Sequence, residues 1–227
     1  MSALSTSSPV LELPPNSVLY VDGNWVEGYI RFNTETGYIS SVHVTNADPA
    51  LVDGTLYVIP GLIDTHVHLT ACTANLSELT RLPPTYVAIA AAAELKDTCA
   101  RGFTCVRDAG GADVGISKAA AAGLIASAGT RVLFTGHAIS QTGGHGDMRS
   151  AGEDSMCGCC AATARGIGIV ADGVAECQRV TRDELRRGAH FIKIMASGGV
   201  ASPTDRLQDL QFSDAEIVAI CEEAARK

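Results

Sequence analysis

Two histidines separated by one residue, His66 and His68, end a short apolar run at residues 58–63. In a β-strand, side chains at positions i and i+2 leave the same face, so both imidazoles can reach one point in space. A metal ion needs ligands that converge in this way. Lys193 lies within a second apolar run at residues 191–195. Because burying an ammonium without a counter-charge is costly, the protonation or the chemistry of such a lysine is usually altered.

The order of these motifs resembles that of the metal-dependent amidohydrolase superfamily. In that superfamily a His-x-His ends the first barrel strand, and a lysine on the fourth strand is carboxylated by carbon dioxide and bridges two divalent metals. Residues 192–200, with Ser-Pro at 202–203 and Gln-Phe-Ser at 211–213, are similar to the prolidase-like branch, which includes the ochratoxin-hydrolysing enzymes of fungi. The resemblance extends from about residue 17 to the last residue.

This resemblance implies a site for two divalent metal ions, with zinc as the expected metal. His66 and His68 would be ligands, and carboxylated Lys193 would be the bridge. The reaction it implies is cleavage of a C–N amide or peptide bond by a metal-bridging hydroxide, in a carboxylate-bearing acyl-amino acid or dipeptide. Manganese, cobalt and iron stay open, because imidazole and carboxylate-type ligands accept them too.

The expected fold is α/β: a partial (β/α)8 TIM-type barrel, strands one to four, preceded by part of a small β-sandwich. Residues 1–16 are expected to be loosely ordered, residues 17–56 to form the partial sandwich, and residues 57–227 to form the N-terminal half of the barrel. The four barrel strands are predicted at residues 57–64, 104–108, 131–135 and 190–196. An open doubly wound sheet shares this local pattern, and the resemblance favours the barrel.

The length of the chain, 227 residues, is short for a complete barrel preceded by another domain, because the barrel alone takes roughly 250 residues. We therefore expect strands five to eight to be missing, and with them two metal-binding histidines and the aspartate that acts as general base. No catalytic residue is assigned within the sequence for this reason. Tested alone with zinc, the chain is expected to show little or no turnover.

A non-catalytic role is the alternative. The chain would then be a fragment or a degenerate relative that acts as a binding or assembly module. A half-barrel leaves two strand edges open, and open edges invite pairing with another chain, including a second copy of the same one.

A long loop at residues 136–165 interrupts the alternation of strands and helices. Loops of this length inside compact domains are often functional. Within it, the motif Thr-Gly-Gly-His-Gly-Asp at residues 142–147 matches a family loop. The resemblance makes His145 a candidate for binding a substrate carboxylate or carbonyl oxygen, and His137 is a second candidate. Each of them could instead be a structural loop histidine.

Two aspartates lie beside the expected site. Asp64 precedes His66 by two residues and is expected to order the backbone there rather than to bind metal. Asp108 ends the second predicted barrel strand, a position that suits either the site or a cap for the following turn.

Charge and composition exclude several classes of function. A net charge of −8 with scattered basic residues argues against nucleic-acid binding, which needs a clustered basic surface. No apolar run reaches the roughly 18 residues of a spanning helix. The first residues lack the basic and apolar regions of a secretory signal. We therefore expect a cytoplasmic protein without membrane contact, whose partner is a small-molecule amide or dipeptide.

The eight cysteines are predicted to be free thiols, because the chain is long and no secretion signal is recognised. Cys157, Cys159 and Cys160 form a cluster without a second cysteine pair at zinc-site spacing. A structural zinc and a loop of ordinary or redox-sensitive thiols both stay open for this cluster.

Overall fold

In a computed structural model, the chain divides after Pro60 into two compact units. The structure describes residues 10–14, 17–46, 56–125, 129–153 and 166–227. The cysteine cluster at residues 157–160 lies outside these ranges. In the described ranges, no helix is long and apolar enough to cross a membrane.

The first unit contains one five-stranded sheet. Its strands are β1 (Val10–Glu12), β2 (Ser17–Val21), β3 (Asn24–Asn33), β4 (Ile39–Asn46) and β5 (Tyr57–Val58). The long strand β3 pairs antiparallel with β1, β2 and β4, and β5 adds to β2 in parallel. Asp22 and Gly23, with φ of 48° and 83°, form the two-residue hairpin turn between β2 and β3, as Asp-Gly predicts.

The runs rich in β-forming residues at 18–21, 29–32 and 39–44 predict antiparallel strands, and they lie within β2, β3 and β4. Two features differ from the expectation. Residues 10–12, expected to be loosely ordered, form β1, where Glu12 accepts a 2.6 Å hydrogen bond from Nε of Arg31. The expected sandwich needs a second sheet opposite the first. It stays a prediction, because the described part of this unit forms a single sheet.

The second unit alternates strands and helices, as predicted. Its elements are β6 (Leu62–Val67), a 3₁₀ helix (Leu76–Arg81), α1 (Pro84–Ala100), β7 (Phe103–Asp108), α2 (Val114–Ala121), β8 (Arg131–Phe134), β9 (Ala138–Ser140), β10 (Gly168–Val170), α3 (Val174–Arg186) and α4 (Asp214–Ala225). Strands β6, β7 and β8 form a parallel sheet, and β9 pairs in parallel with β10. These strands form a curled half-barrel.

Helix α1 illustrates how the sequence builds this layer. Pro84 occupies its first turn, an alanine-rich stretch continues it, and Gly102 with φ of 94° follows its end. Its residues Ala91 and Leu95 are fully buried against Val106 of β7 in the core cluster of this unit. The core thereby fixes the strands whose ends carry the site.

The first predicted barrel strand, residues 57–64, is divided at Pro60. Residues 57–58 join the sheet of the first unit as β5, and β6 begins at Leu62. Proline has no N–H to donate to a ladder. Gly61 then lies so close to Thr104 that a Cβ atom would overlap that side chain. The strand that carries the histidines therefore starts later than predicted.

The fourth predicted strand, residues 190–196, is an extended segment with one bridge, between Ile194 and Ile139. Gly136, with φ of 77°, turns the neighbouring chain between β8 and β9 and interrupts a continuous ladder. The backbone N–H of Lys193 donates instead to the hydroxyl of Thr135, at 2.9 Å. The prediction of a regular strand is wrong, but Lys193 still lies alongside the β8–β9 segment.

Five cysteines lie in the described ranges, and all five are free thiols, as predicted. Cys177 of α3 is fully buried beside Ile139 and Val180, and its Sγ donates to the carbonyl of Ala171. Burial raises the pKa of this thiol to about 11. Thiolate, which is the reactive form, is therefore scarce at this position.

Alkylation at mildly alkaline pH should proceed at different rates at the buried and the exposed cysteines. We expect iodoacetamide to modify Cys177 at least about 100-fold more slowly than exposed Cys72, because a pKa about two units above the ordinary 9.0 leaves correspondingly less thiolate. Peptide mass spectrometry over time measures both rates. Equal rates would show that α3 opens readily.

Candidate metal centre

His66 and His68 lie side by side at the end of β6. Their ring centroids are 5.2 Å apart and the rings meet edge to face. The side chain of His66 is exposed and that of His68 is half-buried. Strand periodicity therefore places the two imidazoles next to each other, as expected of two ligands for one metal ion.

The ring of His68 is held by the turn that follows β7. Its Nδ1 lies 2.9 Å from the carbonyl oxygen of Gly110. A carbonyl can only accept, so Nδ1 carries the hydrogen and Nε2 keeps its lone pair. Metal-binding histidines are commonly oriented by such a hydrogen bond from the other ring nitrogen.

Asp108 builds the turn that holds His68. Its carboxylate is fully buried and accepts hydrogen bonds from the backbone N–H groups of Leu69, Gly110 and Ala112, at 2.7, 3.0 and 3.1 Å. Burial raises the pKa of Asp108, while the three donors and nearby His68 act in the opposite direction. The sequence left open whether Asp108 belongs to the site or caps the following turn. These hydrogen bonds give Asp108 a structural role, because they join the segments that follow β6 and β7.

Asp64 orders the backbone of β6, in agreement with the sequence analysis. Its Oδ1 accepts a 3.0 Å hydrogen bond from the backbone N–H of His66. Arg107 of β7 donates from Nε to the carbonyl of Thr65, at 2.7 Å. The backbone on the N-terminal side of His66 is thus held from two directions.

Lys193 is half-buried and lies close enough to His66 for its charge to act on the ring. Burial lowers the pKa of His66, and the positive charges of Lys193, His68 and Arg107 lower it further. A lowered pKa favours the neutral imidazole, which is the form that binds a metal.

The donor set fits a divalent metal in part. Neutral imidazole nitrogens suit zinc, whereas an ammonium does not bind a cation, so Lys193 could contribute only as an anionic carbamate. Across the described ranges, no group of three histidine, cysteine, aspartate or glutamate side chains could hold a metal ion. The two imidazoles are thus the candidate metal-binding groups that the structure brings together.

His137 forms a buried pair with a helix residue that the sequence analysis did not single out. Its Nδ1 lies 2.7 Å from Oε1 of Glu184 in α3, and both side chains are buried. A Cβ atom at Gly136 would overlap the carboxylate of Glu184. These contacts favour a structural role for His137, and a contact of its other nitrogen with substrate stays a prediction.

His145 lies in the loop after β9 and contacts the segment that precedes α4. Its Nδ1 is 2.8 Å from Oγ of Ser202, and its backbone N–H donates to Gln211 at 3.0 Å. A cavity of about 750 Å³ is lined by neighbouring residues that include Gly146, Ala201 and Pro203. Ser202 and Gln211 belong to the Ser-Pro and Gln-Phe-Ser motifs, whose role does not follow from the sequence alone.

A curled half-barrel of parallel strands, with paired histidines at a strand end, places the chain in the α/β-barrel class of proteins. The model of the amidohydrolase family matches residues 57–227, and the chain belongs to this family.

Comparison with individual proteins shows which amidohydrolases and related structures this chain is similar to. The chain is 35% identical over 201 residues to the ochratoxinase of Aspergillus niger, which covers 84% of this chain and 40% of that protein. Among solved structures, a prolidase complexed with N-methylphosphonate-L-proline has a TM-score of 0.82 and 36% identity, covering 96% of this chain and 54% of that one. The A. niger ochratoxinase structure has a TM-score of 0.72 and 29% identity, covering 92% and 52%. The chain thus spans about half the length of these relatives, or less.

Proposed function

We propose that this chain carries part of the metal centre of a hydrolase that cleaves amide or peptide bonds in acyl-amino acids or dipeptides. The observation that carries the proposal is the pair of imidazoles at the end of β6. Nδ1 of His68 donates to the carbonyl of Gly110, so Nε2 keeps the lone pair that can bind a metal ion. Family membership supports the same class of chemistry, since amidohydrolases are generally metal-dependent.

The expected substrate carries a carboxylate next to the scissile bond. The similar prolidase was solved with N-methylphosphonate-L-proline, which contains an amino-acid carboxylate, and the other named relative is an ochratoxinase. His145, held at one ring nitrogen, is the candidate for contacting the substrate carboxylate or carbonyl oxygen.

The residues of this chain would each have a distinct task. A divalent cation, when bound, supplies Lewis-acid polarisation of the scissile carbonyl and a water of lowered pKa. His66 and His68 would hold it, Gly110 orients one ring, and Asp64 holds the backbone of the other. The Nζ of Lys193 would attack carbon dioxide, forming an N–C bond and releasing one proton, to give a carbamate with two oxygen ligands.

A bicarbonate dependence tests this proposal. We expect bicarbonate to raise the zinc affinity of the chain at least about 10-fold, because the carbamate is a new anionic ligand and binding is linked to its formation. Lys193→Ala should bind zinc weakly and not respond to bicarbonate. Lys96→Ala, which removes an exposed lysine of α1, should respond like the wild type.

Two measurements follow the same variants. Titration with a chromogenic zinc chelator gives the affinity, and release of free amino acid from N-acyl amino acids and dipeptides gives the hydrolysis rate with zinc. A zinc affinity that rises with bicarbonate in the wild type, but not in Lys193→Ala, supports the proposal, and any residual hydrolysis should follow the same pattern. An unchanged bicarbonate response in Lys193→Ala, in affinity or in hydrolysis, would overturn it.

A further inference from the structure

A buried aspartate far along the chain lies behind His145. The side chain of Asp205 is 2% exposed, and its Oδ2 is 3.4 Å from Nδ1 of His145. Its Oδ1 is hydrogen-bonded to Oγ of Ser202, which in turn lies 2.8 Å from the same ring nitrogen. A serine hydroxyl thus stands between a carboxylate and an imidazole.

The direction of these hydrogen bonds follows from the groups involved. A carboxylate only accepts, so the hydroxyl of Ser202 donates its one hydrogen to Asp205. The hydroxyl oxygen must then accept from the ring, which places a hydrogen on Nδ1 of His145. Nε2 is left as an acceptor in the neutral ring, or as a donor in the protonated ring.

The carboxylate of Asp205 is itself fixed by two further donors. Its Oδ2 accepts from the backbone N–H of Gly199 at 2.9 Å and from Nε2 of Gln211 at 3.1 Å. The side-chain oxygen of Gln211 in turn accepts the backbone N–H of His145. The network therefore ties the histidine loop to the segment before α4.

The ring of His145 also packs closely on backbone. A Cβ atom at Gly199 would overlap the ring, so only glycine fits beneath it. The ring is one-quarter exposed, and no hydrogen bond is formed to Nε2 by the residues that the structure describes. Nε2 is thus the atom of this network that stays available.

This arrangement differs from a serine-hydrolase triad. In a triad the aspartate and the serine bind opposite nitrogens of the histidine, so that the ring can take the proton of the serine. Here Ser202 and Asp205 share Nδ1, and the hydrogen of the serine is directed to Asp205. Ser202 is therefore not activated as a nucleophile by this histidine.

We infer that Asp205 is a positioning residue that acts through Ser202 to keep the hydrogen of His145 on Nδ1 and to leave Nε2 for an oxygen atom of a carboxylate-bearing ligand. The ligand class rests on the proposed function. The positioning role itself rests on the hydrogen-bond network alone, so the two are separately testable.

The test is the tautomer of His145, read by long-range ¹H–¹⁵N NMR of the neutral ring without zinc or substrate. The wild type should show Nδ1–H as the dominant form. Asp205→Asn offers Ser202 an amide in place of a carboxylate, and we expect the Nε2–H form, which exposed neutral histidines favour, to rise at least several-fold. Asp209→Asn is the control, because Asp209 is exposed in the same segment and its carboxylate accepts only from the backbone N–H of Arg206 among the described residues.

A second variant provides the same test if Asp205→Asn does not fold. Gly199→Ala leaves the carboxylate intact but displaces the ring, so it should give the same change in tautomer, whereas Gly152→Ala, where a Cβ meets nothing within 4 Å, should not. Circular dichroism checks that each variant is folded. A dominant Nε2–H form in the wild type, or an unchanged tautomer in folded Asp205→Asn, would overturn the inference. A correct tautomer pattern in a protein whose zinc affinity does not respond to bicarbonate would count against the proposed function only.

Discussion

Replacing both His66 and His68 by alanine is expected to lower the zinc affinity of the chain by at least about 100-fold. Loss of a group that merely orients a metal-binding histidine typically costs 10- to 100-fold, and loss of the ligands themselves must exceed this. Each single variant should lose a large part of the affinity, because it leaves one imidazole to hold the ion. Isothermal titration with zinc, in the presence of bicarbonate, measures the effect.

His43→Ala provides the matched control for this experiment. His43 is also a strand histidine, but it lies in the first unit, where its Nε2 is 2.9 Å from Oγ of Ser41 and its ring stacks on Tyr29 at 4.6 Å. Zinc affinity should be unchanged in this variant. If the double variant bound zinc as tightly as His43→Ala, the metal centre would have to be sought elsewhere in the chain.

Asp108→Ala is expected to destabilise the second unit by about 3 to 5 kcal/mol. It leaves three backbone N–H groups without their acceptor, and each unpaired buried donor typically costs about 1 to 3 kcal/mol before relaxation and water entry reduce the sum. Urea unfolding followed by circular dichroism gives the free energy of unfolding. A loss below about 1 kcal/mol would show that water replaces the carboxylate.

Asp113→Ala is the control for Asp108→Ala. Asp113 is exposed and caps α2 by accepting from the N–H groups of Gly115 and Ile116. Removal of such a cap typically costs about 1 kcal/mol. The difference between the two losses in free energy of unfolding distinguishes a buried carboxylate that accepts from three backbone N–H groups from an ordinary helix cap five residues away.

The pH dependence of stability gives a further check on Asp108. Its pKa is higher in the folded protein than its ordinary value of 3.8. Such a group stabilises the fold fully below the unfolded pKa, and this contribution is lost as the pH rises through the folded pKa. Asp108→Asn cannot ionise, so the stability of the wild type relative to this variant should fall over that pH window.

Local rules predicted much of what positions the site. The i, i+2 spacing placed the two imidazoles together, and the Asp-Gly turn and the alanine-rich helix α1 formed at residues whose local preferences favour them. Each of these features depends on residues close together in sequence. A turn or helix signal of this kind does not require the partner segment to be known.

The features that escaped prediction depend on contacts between distant segments. Lys193 lies in a bridged segment rather than a strand because Thr135, 58 positions earlier, takes its backbone N–H. The contact of His145 with Ser202 joins residues 57 positions apart, and that of His137 with Glu184 joins residues 47 apart. Side-chain pairing across such separations leaves no periodic signal in one sequence.

The turn after β7 connects His68, the candidate metal ligand, to the fold of the second unit. Asp108 holds the amide of Gly110, and the carbonyl of the same residue holds His68, so the ring and the buried carboxylate share one rigid peptide segment. Occupancy by a cation and resistance to denaturation are then linked, since an ion that binds only the native chain shifts the unfolding equilibrium. A chelator that removes the cation should therefore lower the urea concentration needed to unfold the chain, and urea should in turn weaken cation binding.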